Sequence, residues 1–187
     1  MGNIGERYAG TRHNVGFWLI DALAGRLGVR VKKPFGKRFA IGKLLVSGRS
    51  ALHLVKPLTF MNRSGEIIHS LLRYTGCRVE DLLVVCDTLD LDPGECRLKR
   101  KGSSAGHKGL DSIIRHVGTS EIPRLFVGIG RPGPRSEVIS YVLKPPARAE
   151  RDQIDMGLRR AADAILELPH QPMERVMNAL NEKHRAS

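Results

Sequence analysis

The stretch "LLVVCD", residues 82–87, decides the fold. Apolar residues in unbroken succession, closed by an acid, read as a strand buried on both faces rather than one that alternates. "RLFVGIGRP", 124–132, is a second such run, ending in Gly-Arg-Pro. Between them "GECRLKRK", 94–101, alternates and reads as a half-exposed strand.

Working outward, helical patterns surround these strands. "VGFWLIDALAGRLG", 15–28, places Phe17, Ile20, Leu23, Ala24 and Leu27 on one face and stops at Gly28. "GEIIHSLLRYTG", 65–76, is predicted helical, with Asn62 or Ser64 as a possible cap and Gly76 as its end. "LDSIIRHVG", 110–118, follows a glycine-serine loop, "GSSAGHKG". Two further helices, 147–168 and 173–183, are split by the breaker "PHQP". "KRFAIGKLLVSGRSALHLVKP", 37–57, reads as a hairpin around "SGRS". The alternation predicts a single α/β domain over 1–187, with a mixed, mostly parallel sheet flanked by helices on both faces.

Charge narrows the partner. Thirty-one Lys and Arg against 19 Asp and Glu give a net charge of +12, a field that favours a polyanion. No apolar run approaches the roughly 18–20 residues that span a bilayer, and no signal-peptide core precedes the first motif. Cys77, Cys86 and Cys96 show no CxxC spacing, and the seven histidines form no HxH or HExxH pair. Neither a disulfide framework nor a metal site is indicated, and a reducing cytoplasm is expected.

In open α/β sheets, ligands sit beyond the carboxyl ends of the strands. Asp87, Arg131 and the loop before Leu110 fall there. An imidazole is the natural base at neutral pH, and a carboxylate at a strand end fixes its tautomer, so His13 and Asp87 form a candidate dyad acting on water. The plainer reading has His13 capping a helix and Asp87 ending a strand. Asn3 and Asn62 offer uncharged donors for a carbonyl that becomes an oxyanion, Asn62 serving equally as a cap. Arg97 and Lys99 alternate onto one face of a basic strand and suit phosphate contact. "GSSAGHKG" is no Walker A loop, because His107 stands where that motif needs glycine. It does match G-x-S-x-G around Ser104, which would make a serine esterase with His116 or His170 as base. The half-charged strand before it speaks against that.

Four blocks together resemble the bacterial-type peptidyl-tRNA hydrolases across nearly the whole chain. "GNIGERYAGTRHNVGF" looks like that family's G-N-P-G-x-x-Y-x-x-T-R-H-N-x-G opening, with Ile4 in place of proline. "KPLTFMNRSGE", "CDTLDLDPGECRLKRKGSSAGHKGLDSI" and "IPRLFVGIGRP" match its later blocks in order. The resemblance implies cleavage of the ester joining a peptide to tRNA, in the cytoplasm, by a monomer without metal or organic cofactor. It implies His13 as the base and Asp87 as its orienting carboxylate. Asn3, Tyr8, Asn62 and residue 108 would bind substrate, and Arg97, Lys99 and Arg131 the tRNA.

Two departures are expected to matter. Lys108 replaces the usual asparagine, and a lysine there disfavours an imidazolium beside it. The family also carries an apolar strand before the Gly-Asn turn, where this sequence has only Met1. A start upstream of Met1 is therefore expected. A non-catalytic RNA-binding protein on the same fold is the alternative of a different class.

Overall fold

The computed structural model describes residues 1–47, 50–133 and 137–182. A short helix, α1 (Glu6–Ala9), precedes a 3-10 turn (Arg12–Asn14) that runs into α2 (Val15–Leu27). The hairpin β1 (Phe39–Ser47) and β2 (Ser50–Pro57) leads to a 3-10 segment (Met61–Ile67) and α3 (Ile68–Thr75). Then come β3 (Val84–Thr88), β4 (Cys96–Lys99), α4 (Lys108–Val117) and β5 (Arg124–Gly128). Helices α5 (Val138–Val142), α6 (Arg148–Glu167) and α7 (Met173–Glu182) close the described chain. The predicted "SGRS" turn places Gly48 and Arg49 outside the described residues.

Strand β5 lies in the middle of a three-stranded sheet, parallel to β3 and antiparallel to β4. The sheet is mixed, as expected, and its parallel share among the described residues is the β3–β5 pair. The hairpin forms a separate antiparallel ribbon, Phe39 opposite Pro57, with an irregularity between Leu45 and Ser47.

Alternation along β3 and β5 sends side chains into two apolar layers. Val85, Leu125 and Val127 face α2, α6 and α7, where Leu19, Leu23 and Ile154 are wholly buried. Val84, Cys86 and Phe126 face the other way, toward Leu71, Leu110 and Ile113 of α3 and α4. Helices thus cover both faces, and each fully buried Leu or Ile contributes about 1.5–3 kcal/mol. The α2 stripe centres on Val15, Leu19 and Leu23, with Ile20, Ala24 and Leu27 at its margin. Gly28, in the left-handed region at φ 64°, ends it.

Gly16 lets α2 seat on β3: a Cβ there would meet the Met1 backbone and the Val85 carbonyl. The Met1 ammonium donates to that carbonyl at 2.5 Å. Beside this edge, between β2, β3 and α3, lies an apolar cleft of about 470 Å³.

Arg124 is wholly buried at the start of β5. Its guanidinium donates to the carbonyls of Gly102 (2.6 Å), Ser103 (3.0 Å) and Ser120 (2.6 Å), and its Nε to that of Ile122 (3.0 Å). A buried charge without such partners would cost several kcal/mol. Satisfied this way, it ties the glycine-serine loop to the sheet just ahead of α4.

Candidate active site

Three side chains converge where β3 ends. His13 rides on the 3-10 turn before α2, Asp87 lies near the end of β3, and His107 stands at the N-cap of α4. His13 Nδ1 lies 2.8 Å and 3.0 Å from the two Asp87 oxygens, and His107 Nε2 lies 3.0 Å from Oδ1. The sequence-predicted dyad is therefore brought into contact across 74 residues of chain.

The helix cap fixes the protons. Leu110 N–H donates to His107 Nδ1 at 3.2 Å, so that nitrogen carries the lone pair and Nε2 the proton. Asp87 accepts from both rings, leaving His13 Nε2 as the basic nitrogen. Burial opposes ionisation of Asp87, but electrostatic attraction to the His107 and His13 rings and the hydrogen bonds they give outweigh it and hold its carboxyl below the ordinary carboxylate range.

These groups also bring two imidazole nitrogens and a carboxylate within 4.8 Å of one another, a possible ligand set for a divalent ion. The cap argues against that use. Ligation through His107 Nε2 would move its proton to Nδ1, directly against Leu110 N–H.

Neighbouring loops are held by buried polar contacts. The Arg12 guanidinium donates to the Lys144 and Pro145 carbonyls at 3.2 and 2.9 Å and pairs with Glu150 at 2.6 Å. It also lies over the Tyr141 ring, 4.1 Å from the centroid. Asn14 Oδ1 accepts from Asn3 N–H at 2.8 Å, while its Nδ2 donates to the Asn3 carbonyl at 3.0 Å. Asn3 Oδ1 in turn accepts from Met61 N–H at 2.8 Å. The Asn3 amide nitrogen is left as a donor at the cleft.

That cleft measures about 780 Å³ and collects Asn3, Tyr8, His13, Asn62, Lys108 and Arg131. Phe60, Val138 and Ile139 give it an apolar wall, and all three are exposed. Tyr8 meets Phe60 edge to face, ring centroids 6.3 Å apart. Lys108 is the first residue of α4 and exposed, and no carboxylate pairs with it among the described residues. Arg131 pairs with Asp90 at the rim.

Some expectations are corrected or refined. Asn62 caps no helix: it is exposed within the 3-10 segment, whose N-cap is Phe60, and α3 has Ile67 at its N-cap with no side-chain bond. Ser64 instead donates to the Met61 carbonyl at 2.8 Å. Arg97 and Lys99 share a face, as alternation predicts, but neither lines the cleft. They stand on β4 beside Phe126, whose ring lies 5.9 Å from Lys99 Nζ and reaches the cleft.

The serine-esterase pattern fails on geometry. No strand runs into Ser104, and the positive φ values of the turn, 47° and 79°, fall on Ala105 and Gly106 rather than on Ser104. His116 is turned to the Ser112 carbonyl, 2.8 Å from its Nδ1. His107, Asn14 and Arg124 were not identified from sequence as site or supporting residues. The signal for His107 is its place as N-cap just ahead of an apolar helical run.

Known proteins resemble this chain along nearly its whole length. A family model described as peptidyl-tRNA hydrolase matches residues 1–187. A peptidyl-tRNA hydrolase of Moorella thermoacetica is 46% identical over 182 residues, 97% of this chain and 95% of that protein. The one of Halalkalibacterium halodurans is 42% identical over 181 residues, 97% of each. The crystal structure of peptidyl-tRNA hydrolase from Acinetobacter baumannii superposes with a TM-score of 0.89 at 33% identity, covering 96% of this chain and 91% of that one. By sequence along its whole length and by fold, the chain belongs to the peptidyl-tRNA hydrolase family.

Proposed function

We propose that this chain hydrolyses the ester between peptide and tRNA in peptidyl-tRNA, releasing tRNA for reuse, with His13 as the base. The observation that carries the reading is the His13 Nδ1–Asp87 contact of 2.8 Å at the floor of the 780 Å³ cleft.

Water bound at His13 Nε2 gives its proton to the ring as its oxygen attacks the ester carbonyl carbon. Asp87 stabilises the imidazolium, and His107 holds Asp87 in place. Negative charge grows on the carbonyl oxygen, where the Asn3 Nδ2 and Asn62 amides supply donors. The intermediate collapses by breaking the carbon–oxygen bond to the ribose. His13 returns the proton to the leaving 3′ oxygen, giving free tRNA and a peptide carboxylic acid, which loses water's second proton to solvent. No metal or organic cofactor enters these steps.

Recognition divides between the two ends of the substrate. Tyr8, Phe60 and the apolar wall receive the peptide, and amide contacts to backbone and ester suit many side chains. Lys108, Arg131 and the Arg97–Lys99 face meet phosphates. No helix among the described residues is long and apolar enough to cross a membrane. We place the enzyme in the cytoplasm, where translation supplies its substrate, as a monomer.

The test is cleavage of an N-acetyl-aminoacyl-tRNA beside the unblocked aminoacyl-tRNA. The blocked ester should be cleaved, and His13→Ala should lose about 10²–10⁴-fold of rate. Salt-sensitive tRNA binding without cleavage by the unaltered chain would instead support the binding-only reading.

A further inference from the structure

The positive charge of this chain is concentrated. Residues 22–65 contain ten Lys and Arg and no Asp or Glu, close to the whole excess of +12. Carboxylates from elsewhere neutralise part of it: Asp21 pairs with Lys56, Asp163 with Arg26, and Glu66 with both Arg38 and Arg63. Arg30, Lys32, Lys33 and Lys37 have no carboxylate partner among the described residues, and they flank one tight turn.

That turn is built to hold an aromatic ring in water. Lys37 N–H donates to the Pro34 carbonyl at 3.2 Å, and Gly36 takes the positive φ of 69° that such a turn requires. Phe35 is thereby placed at the tip, 104% exposed. Both stems are anchored. Lys32 and Ile41 exchange backbone bonds of 3.0 and 2.8 Å, and the Arg38 carbonyl accepts from Leu58 N–H at 2.8 Å. Lys37 Nζ lies 5.7 Å from the centre of the Tyr74 ring on α3, itself half exposed.

A fully exposed ring on an anchored turn, between lysines that have no carboxylate partner among the described residues, is poorly explained by packing. It has the composition of a single-stranded nucleic-acid platform, in which the ring stacks on a base and the cations follow the backbone. The Arg38–Glu66–Arg63 pairs connect it to the 3-10 segment that carries Asn62 into the cleft.

We propose that the Lys32–Arg38 turn is a second RNA contact, remote from the ester, in which Phe35 stacks on an unpaired base of the bound tRNA and Lys33 and Lys37 meet its phosphates. The assignment of that RNA to the substrate rests on the hydrolase reading. The turn adds affinity for the tRNA body and takes no part in the chemistry.

The test compares Phe35→Ala and Phe35→Trp with the unaltered chain, reading deacylated-tRNA binding and hydrolysis separately. Phe35→Ala should weaken tRNA binding about tenfold. It should raise KM for N-acetyl-aminoacyl-tRNA by the same factor at constant kcat, and leave cleavage of an N-acetyl-aminoacyl ester of adenosine unchanged. Phe35→Trp should keep the affinity and show fluorescence quenching by tRNA, over the background of Trp18, the chain's one native tryptophan. Unchanged tRNA binding by Phe35→Ala would overturn the proposal. So would quenching of the new indole by anionic vesicles or by self-association and not by tRNA. If the unaltered chain cleaves nothing while Phe35→Ala still loses tRNA binding, the hydrolase reading fails and the RNA contact stands.

Discussion

His107 Nε2 donates to Asp87 Oδ1 at 3.0 Å while its other ring nitrogen caps α4 through Leu110 N–H. One imidazole therefore joins the helix terminus to the Asp87 carboxylate. His107→Asn separates the two roles. Its shorter amide retains an acceptor for the cap but does not span the distance to Asp87. The expected outcome is a stability loss limited to the Asp87 bond, about 1.5–3 kcal/mol and smaller than that of His107→Ala, with a rate lowered about tenfold. His107→Ala should lose both. A His107→Asn variant with full activity would remove His107 from the mechanism.

Asp87 also predicts an acid dependence of stability. Its carboxyl is held below its ordinary value in the folded state, so the unfolded chain binds the proton more readily. The stabilisation is fully present above the unfolded pKa of about 3.9 and is lost as pH falls through and below it. The difference in unfolding free energy between the unaltered chain and Asp87→Asn should be constant near pH 6–7 and shrink below about pH 4. Urea unfolding at several pH values measures it, and a difference that grows toward acid would contradict the assignment.

Lys108 places a cation at the first residue of α4, where the helix dipole disfavours it. Lys108→Asn should raise stability by about 0.3–1 kcal/mol. Removing a cation that lines the cleft with His13 should also change the rate of ester cleavage. With one cation fewer to neutralise a phosphate, the salt slope of tRNA binding should fall by about one. Unchanged rate and salt slope together would take Lys108 out of the site.

Much of this arrangement was legible because local chemistry and tertiary packing agree. Continuous apolar runs announced β3 and β5, and Gly28, Gly76 and Gly118 each end a helix in the left-handed region, as their positions suggested. The His13–Asp87 pair was legible through residue type, strand-end position and motif, not through spacing. What escaped were side chains whose partners are distant in sequence. His107 read as a residue that spoils a phosphate loop, because nothing local reports a carboxylate 20 residues upstream. Arg124 drew no reading of its own within its apolar run, whereas its guanidinium satisfies four carbonyls. Asn62 read as a cap because asparagine before a helix usually is one, but the 3-10 segment delays α3 until Ile68. The separation of the hairpin from the main sheet depends on long-range pairing that alternation does not encode.

The network around Asn14 gives the sharpest test of positioning. Asn14 and Asn3 are both buried, and the Asn14 amide satisfies the Asn3 N–H and carbonyl together. Asn3 Oδ1 then holds Met61 N–H, so one amide links the opening loop to the segment carrying Asn62. Asn14→Ala leaves a buried donor and a buried acceptor unpaired, at about 1–3 kcal/mol each. Stability should fall by about 2–6 kcal/mol, and kcat should fall because both proposed donors to the oxyanion, Asn3 and Asn62, lose their register. KM for the tRNA substrate should change little, since Asn14 bonds to Asn3 and to none of the cations proposed to meet phosphates on β4, α4, the Arg131 rim and the Lys32–Arg38 turn. Asn14→Asp keeps the acceptor for Asn3 N–H but sets a carboxylate against the Asn3 carbonyl, so it should recover neither stability nor rate. Urea unfolding and steady-state kinetics on both variants decide the matter. A fall in stability with kcat intact would make Asn14 structural only, whereas a fall in kcat at unchanged KM identifies it as the residue that positions Asn3.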